Sequence, residues 1–162
     1  VLYKNIDPLV RGGFSTDVEF FGFDFNASFA YQIGGRTLDY TYQRLMHGGS
    51  DRGVALHADQ LKAWTEEKKS DIPKMNYLDG DVNNNSSRFF TSRSYFSIDN
   101  ITLGYTFKKE WVDKIGIGSL RVYAVADNIW IFSARKGFDP RFGSGVGYKA
   151  VRTISGGVNL TF

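Results

Sequence analysis

The sequence predicts an all-β chain whose strands separate an apolar medium from a polar one: part of a large transmembrane β-barrel, not closed on its own. Three observations lead there. Apolar and polar residues alternate strictly over several long stretches, the connections between those stretches are alternately short and long, and an apolar row continues to the last residue. In that row Ile154, Gly156, Val158, Leu160 and Phe162 share one face, while Ser155, Gly157, Asn159 and Thr161 share the other, because strand side chains alternate with period 2. Soluble domains normally end in residues that fray. An apolar row ending on an aromatic residue suits the closing seam of a membrane barrel.

Composition agrees. The 162 residues include 14 Phe, 9 Tyr and 18 Gly against 3 Pro, a balance that favours strands and turns over helices. The net charge of +3 comes without a Lys/Arg run, which argues against a nucleic-acid surface. Cysteine is absent, so neither a disulfide framework nor a thiolate metal site is expected. No apolar run reaches the ~18 residues of a transmembrane helix. A slightly negative mean hydropathy is compatible with a barrel whose strands turn half their residues to a polar lumen. The chain opens on Val1-Leu2-Tyr3-Lys4 without a charged region followed by an apolar one. We therefore expect either a leader already removed or the tail of something longer.

Five strands are expected in order. The first, Val10 to Phe20, carries Gly12, Phe14, Thr16, Val18 and Phe20 on one face, opposite Arg11, Ser15, Asp17 and Glu19. Phe21-Gly22 turns the chain into the second, Phe23 to Ile33, where Phe23, Phe25, Ala27, Phe29, Tyr31 and Ile33 oppose Asp24, Asn26, Ser28, Ala30 and Gln32. The third, Tyr95 to Phe107, has Ile101, Leu103, Tyr105 and Phe107 on one side. The fourth, Leu120 to Phe132, is apolar on both sides near its end, and its faces stay unassigned. The fifth is Val151 to Phe162.

Between strands two and three lies an irregular segment from about 36 to 93. Tyr40-Thr41-Tyr42 is expected to prolong the second strand, and Asp59 to Trp64 to form a short helix with Leu61 and Trp64 three apart. Asp79 to Ser87 is a turn-rich tip. The 108–118 connector holds one helical turn around Trp111, Val112 and Ile115, and 133–149 is a Gly-rich loop. Outer-membrane barrels pair short periplasmic turns with long extracellular loops. That rule puts 36–93 and 133–149 outside the cell, and Phe21-Gly22 and 108–118 in the periplasm. Five strands are fewer than the ~8 a barrel needs, and an open sheet in lipid leaves unsatisfied edges. The remaining strands are expected elsewhere in a longer polypeptide.

Several stretches resemble the SusC/RagA-type TonB-dependent outer-membrane transporters of Bacteroidetes. Ser94-Tyr95-Phe96-Ser97-Ile98-Asp99-Asn100-Ile101-Thr102-Leu103-Gly104-Tyr105-Thr106 is similar to that family's SYLRLKNITLGYT strand. Leu120 to Trp130 is similar to its LRVYVSGENLF, and Gly137-Phe138-Asp139-Pro140 to its GYDP. Tyr31-Gln32-Ile33-Gly34-Gly35, Trp64-Thr65 and the closing Gly157-Val158-Asn159-Leu160-Thr161-Phe162 also have counterparts. Phe96-Ser97 stand in place of the usual Leu-Arg, and Arg141 where an acidic residue is common.

The resemblance implies the C-terminal five strands of a barrel of about 22 strands, with the plug and TonB box lying outside this chain. It implies TonB-dependent import of glycans or peptides, with a SusD-like surface lipoprotein as lid, and a cell outer membrane location. It also implies that Val158, Leu160 and Phe162 form the signal read by the barrel-assembly machinery. The alternatives are a SusC-like barrel serving as a structural scaffold subunit of a surface complex, and a secreted all-β binding module.

No catalytic site, cofactor or metal is expected. Asp79, Asp81, Asn83 and Asn85 have the alternation of calcium ligands, but Asn84 replaces the required Gly and Phe90 the bidentate Glu. His47 and His57 lack a carboxylate at metal-ligand spacing, and no HExxH, GxSxG or P-loop occurs. The loop aromatics Tyr42, Trp64, Tyr77 and Phe142 are candidates for contact with substrate or lid. Trp111 and Trp130 are expected at opposite membrane interfaces. Arg152 falls on the apolar face, where only its place near the outer end makes a charge tolerable through snorkelling.

Overall fold

Alternation translates into five long strands that pair antiparallel in chain order. The computed structural model describes residues 6–135, 139–141 and 150–162. In that order the strands are β1 (Val10–Phe20), β2 (Phe23–Ile33), β5 (Tyr95–Thr106), β6 (Ser119–Ser133) and β7 (Thr153–Thr161). A two-stranded ribbon, β3 (Arg36–Leu38) with β4 (Phe90–Ser92), continues the β2–β5 pair beyond Gly34-Gly35. The five-stranded sheet is open, with β1 and β7 at its edges. No described helix is long and apolar enough to cross a membrane.

The β1–β2 hairpin closes through two residues, Phe21 and Gly22, with φ of 48° and 86°. Two positive φ values match the right-handed twist of the flanking strands, and this is why glycine is needed at the second. Register keeps each apolar face continuous. Phe14 pairs with Phe29, Val18 with Phe25 and Phe20 with Phe23; Phe25 pairs with Leu103 and Ala27 with Ile101; Val122 pairs with Val158 and Leu120 with Leu160.

One irregularity runs across the sheet. On β2, Ser28 pairs with Asn100 and Phe29 with Ile98, which leaves Asp99 over. On β6, Asn100 pairs with Asp127 and Ile98 with Trp130, so Asp99 opposes both Asn128 and Ile129. Asn128 takes the left-handed conformation, φ 51°, which asparagine tolerates better than most residues. The bulge keeps Phe96 and Ile98 on the same face as Ile101, Leu103 and Tyr105 despite the break in alternation. It also assigns β6: Val122, Ala124, Ala126, Trp130 and Phe132 join the apolar face.

The 36–93 segment is folded, contrary to its irregular appearance in sequence. Tyr40-Thr41-Tyr42 does not prolong β2 but opens α1 (Tyr40–Leu45). The buried Asp39 carboxylate caps that helix by accepting the Tyr42 N–H at 3.2 Å, and Thr41 turns inward. A local cap thus outweighs the strand preference of Tyr and Thr. The short helix expected at Asp59 to Trp64 is a 3₁₀ turn over Ala58–Lys62; Trp64 lies past it, its N–H donating to the Ile72 carbonyl at 2.8 Å. Met46 and Phe89, 0% and 1% exposed, with Ala63, form the apolar centre of this loop module. The 108–118 connector contains α2 (Lys109–Val112) and a following 3₁₀ turn, with Val112 buried.

Candidate functional site

Three surfaces carry whatever this stretch does: the apolar face of the sheet, its polar face, and the loop module above them. On the apolar face large side chains are exposed throughout, among them Phe14, Phe20, Phe23, Leu103, Trp130, Phe132 and Ile154. An aromatic row crosses four strands near the long-loop end. Phe14 stacks on Phe29 at 4.8 Å, Phe29 on Phe96 at 5.8 Å, and Phe132 lies 6.3 Å from both Phe96 and Trp130. A second group sits at the short-turn end, with Phe20 and Phe21 at 4.2 Å, Phe23 and Tyr105 at 4.5 Å, and Tyr105 and Phe107 at 4.9 Å. An apolar band flanked by two aromatic girdles is the exterior of a membrane barrel. Trp111 and Trp130 stand at opposite ends of that band, each under a cation: Lys108 at 5.8 Å and Arg152 at 5.7 Å.

The polar face is laced by cross-strand bonds. Arg121 holds Asp24 in a two-pronged ion pair, Nε–Oδ1 2.9 Å and Nη2–Oδ2 2.5 Å. The pair spans Gly104 of the intervening strand, where any Cβ would collide with both partners, so glycine there is a condition of the pair. Asn26 donates to Asp17, Asn100 to Asp127 at 2.7 Å, and Thr102 to Asn100 at 3.2 Å. Asp24 and Arg121 stand 97 positions apart, and no sequence signal joins them.

Two arginines fasten the loops to the wall. Buried Arg135, just beyond β6, lies 3.6 Å from the equally buried Asp39. Arg141 bonds Asp139 at 2.6 Å and the bulged Asp99 at 3.0 Å. The bond to Asp139 raises the Arg141 pKa from its ordinary value, against partial desolvation, and Asp99 adds to it. The Arg141 position noted as a departure in the sequence is therefore a tether, made possible because the bulge frees Asp99 from regular pairing.

The loop candidates fall in different surroundings. Tyr42 packs inward, its ring edge-on to His57 at 4.8 Å and its hydroxyl donating to Asp59 at 3.0 Å. Trp64 is half-buried, whereas Tyr77 is 64% exposed beside Leu78. Phe142 lies outside the described residues, as do Gly137 and Phe138. Val158, Leu160 and Phe162 are exposed on the apolar face. The oxygens of the 79–85 tip are engaged in the loop itself. Asp79 accepts from the Asp81 N–H, Asp81 from Asn84, and Asn85 from Gln43. The two histidines serve as turn acceptors, His47 Nδ1 for the N–H groups of Gly49 and Asp51, and His57 Nδ1 for that of Asp59.

No protein-family model matches the chain. Individual proteins do. TonB-dependent receptor SusC of Bacteroides thetaiotaomicron is 38% identical over 167 residues, aligned with 99% of this chain and 16% of its own length. TonB-dependent receptor P3 of Formosa agariphila is 27% identical over 166 residues, 93% of this chain and 16% of its own. Among solved structures, the RagAB peptide transporter superposes with a TM-score of 0.78 at 27% identity, covering 99% of this chain and 18% of the other. The RagAB peptide importer in its open-open state gives 0.70 at 26% identity, covering 98% of this chain. The chain thus spans about a sixth of the length of the curated relatives it matches. A one-sided apolar sheet with aromatic girdles, matched along nearly its whole length to SusC and RagAB, identifies this chain as part of a SusC/RagA-type TonB-dependent receptor.

Proposed function

We propose that this stretch forms part of the wall of an outer-membrane importer of glycans or peptides, driven through TonB and closed from outside by a SusD-like lipoprotein lid. The observation that carries the reading is the division of the sheet into an apolar face with two aromatic girdles, charged only at Arg152 at its long-loop end, and a polar face cross-linked by an ion pair and hydrogen bonds. Such a sheet is stable only between lipid and an aqueous lumen. The 36–93 and 133–149 loops then face the exterior, where exposed Tyr77 is the strongest candidate for touching lid or substrate. Val158, Leu160 and Phe162 present the apolar row that barrel-assembly machinery reads. The wall contributes no chemistry of its own, and the TonB complex acts through a part of the receptor outside this chain.

Orientation is tested by single cysteines in the full-length receptor, since this stretch carries none. A cysteine at Gly53 reacts with a membrane-impermeant maleimide on intact cells, and one at Ile115 only after permeabilisation; the opposite pattern overturns the topology. Transport is tested by uptake of labelled glycans and peptides into cells with and without the receptor. Uptake that needs both the receptor and the proton-motive force supports import. A surface complex that fails to assemble without the receptor, with uptake unchanged, favours the scaffold reading.

A further inference from the structure

Arg152 is the one charged residue among the described residues that stand on the apolar side of the sheet. From Val10 to Phe20 and Phe23 to Ile33, through Phe96–Tyr105 and Leu120–Phe132, to Ile154–Leu160, that side holds only apolar residues, Thr16, Asn128 and tyrosines. A cation there is tolerated only near an interface. Arg152 sits at the long-loop end, one residue before β7 begins.

Its side chain is held in place. The β6–β7 ladder ends at the Asp127–Thr153 pair, so beyond it the Ile129 carbonyl has lost its strand partner. Arg152 supplies the replacement, Nε and Nη2 donating to that carbonyl at 3.0 and 2.6 Å. Its guanidinium lies 5.7 Å from the Trp130 ring, itself 54% exposed and in contact with Phe132 of the aromatic row. Two of the five guanidinium N–H donors are thereby used and three are left on an exposed side chain. No carboxylate pairs with it among the described residues, in contrast to Arg121, Arg135 and Arg141, each of which has at least one.

We propose that Arg152, held by the Ile129 carbonyl and Trp130, binds the phosphate of an outer-leaflet glycolipid headgroup. The features agree on that occupant. The site is at the level of the outer aromatic girdle, where headgroups lie, and its positive charge meets no carboxylate among the described residues. A planar guanidinium offers paired donors that match phosphate oxygens. The rim of a bilayer brings phosphate to this position at high local concentration, so a single preorganised cation suffices to select one lipid over another. The proposal rests on the outer-membrane reading above.

The test uses the full-length receptor in detergent, titrated by native mass spectrometry with a phosphorylated glycolipid and with the same lipid after enzymatic removal of its phosphates. The expected result is about fivefold tighter retention of the phosphorylated lipid by the wild type, matching the worth of one cation near an anionic surface. Arg152→Gln removes that preference, and Arg152→Lys keeps part of it. Equal retention of both lipids by the wild type, or an unchanged preference in Arg152→Gln, overturns the proposal. If Arg152→Gln does not fold, as judged by loss of heat-modifiable migration, the wild-type comparison of the two lipids decides alone. A receptor that stays monomeric in water without detergent refutes the membrane reading itself, whatever the lipid result.

Discussion

The wall and the loop module obey opposite rules of burial. In the wall, Phe14, Phe23 and Val158 are all more than half exposed, and stability rests on ladder hydrogen bonds and on the medium around the strands. In the module, Met46 and Phe89 are excluded from solvent together with Asp39, Thr41, His47, Asp59 and Gln60. The module is therefore a small globular core set on a sheet that has none. A barrel strand inherits its apolar partner from the membrane, whereas a connecting loop of nearly sixty residues has to supply its own, and does so with a cap, a 3₁₀ turn and a two-stranded ribbon.

The sharpest way to separate the two is to empty the module's core. Phe89→Ala removes a ring that is 1% exposed, at a cost of about 3–5 kcal/mol. Limited proteolysis of the detergent-solubilised receptor is then expected to cut within 46–86 while the strands stay protected; simultaneous loss of the wall would show that module and sheet are one cooperative unit. The wall breaks by charge instead. Val158→Arg, on the apolar face in the middle of β7, costs about 2–4 kcal/mol in a bilayer-refolding titration. Ser155→Arg, on the polar face of the same strand opposite Val125, stays within about 0.5 kcal/mol. Equal costs at the two sites would contradict the division between lipid and lumen.

Smaller changes refine the contrast. Phe29→Leu breaks the stack with Phe14 and costs about 0.5–1.5 kcal/mol beyond the lost area, read in the same titration, with loop proteolysis unchanged. Tyr77→Ala, 64% exposed on the module, leaves stability within about 0.5 kcal/mol but, on the proposed function, lowers co-purification of a SusD-like lipoprotein; unchanged co-purification would remove Tyr77 from the proposed lid contact.

Legibility in sequence follows the same contrast. The β1–β2 hairpin could be read residue by residue, because a strand between two media must alternate and nothing else competes. Alternation alone did not settle the faces of β6: its end is apolar on both sides, and only the pairing of Ile98 with Trp130 across the bulge fixes them. The module was nearly opaque. Tyr40-Thr41-Tyr42 has strand composition, and its helix is decided by one buried Asp39 carboxylate. Strands of three residues such as β3 and β4 have no period to detect, and their partners are some fifty positions apart. The tethers Asp39–Arg135 and Asp99–Arg141 join residues that come together only once the loops are folded.

The surplus residue at Asp99 has a consequence for how such walls change over time. A strand between lipid and water behaves like a reading frame of two: gain or loss of one residue inverts every side chain downstream and is lethal to the span. At Asp99, where the frame already slips and is compensated on β6 by Asn128 and Ile129, the stretch above can lengthen or shorten by a residue without inverting the stretch below. The bulge is thus the place where a one-residue insertion or deletion is expected to do least harm, because the strand residues on its short-turn side keep their faces.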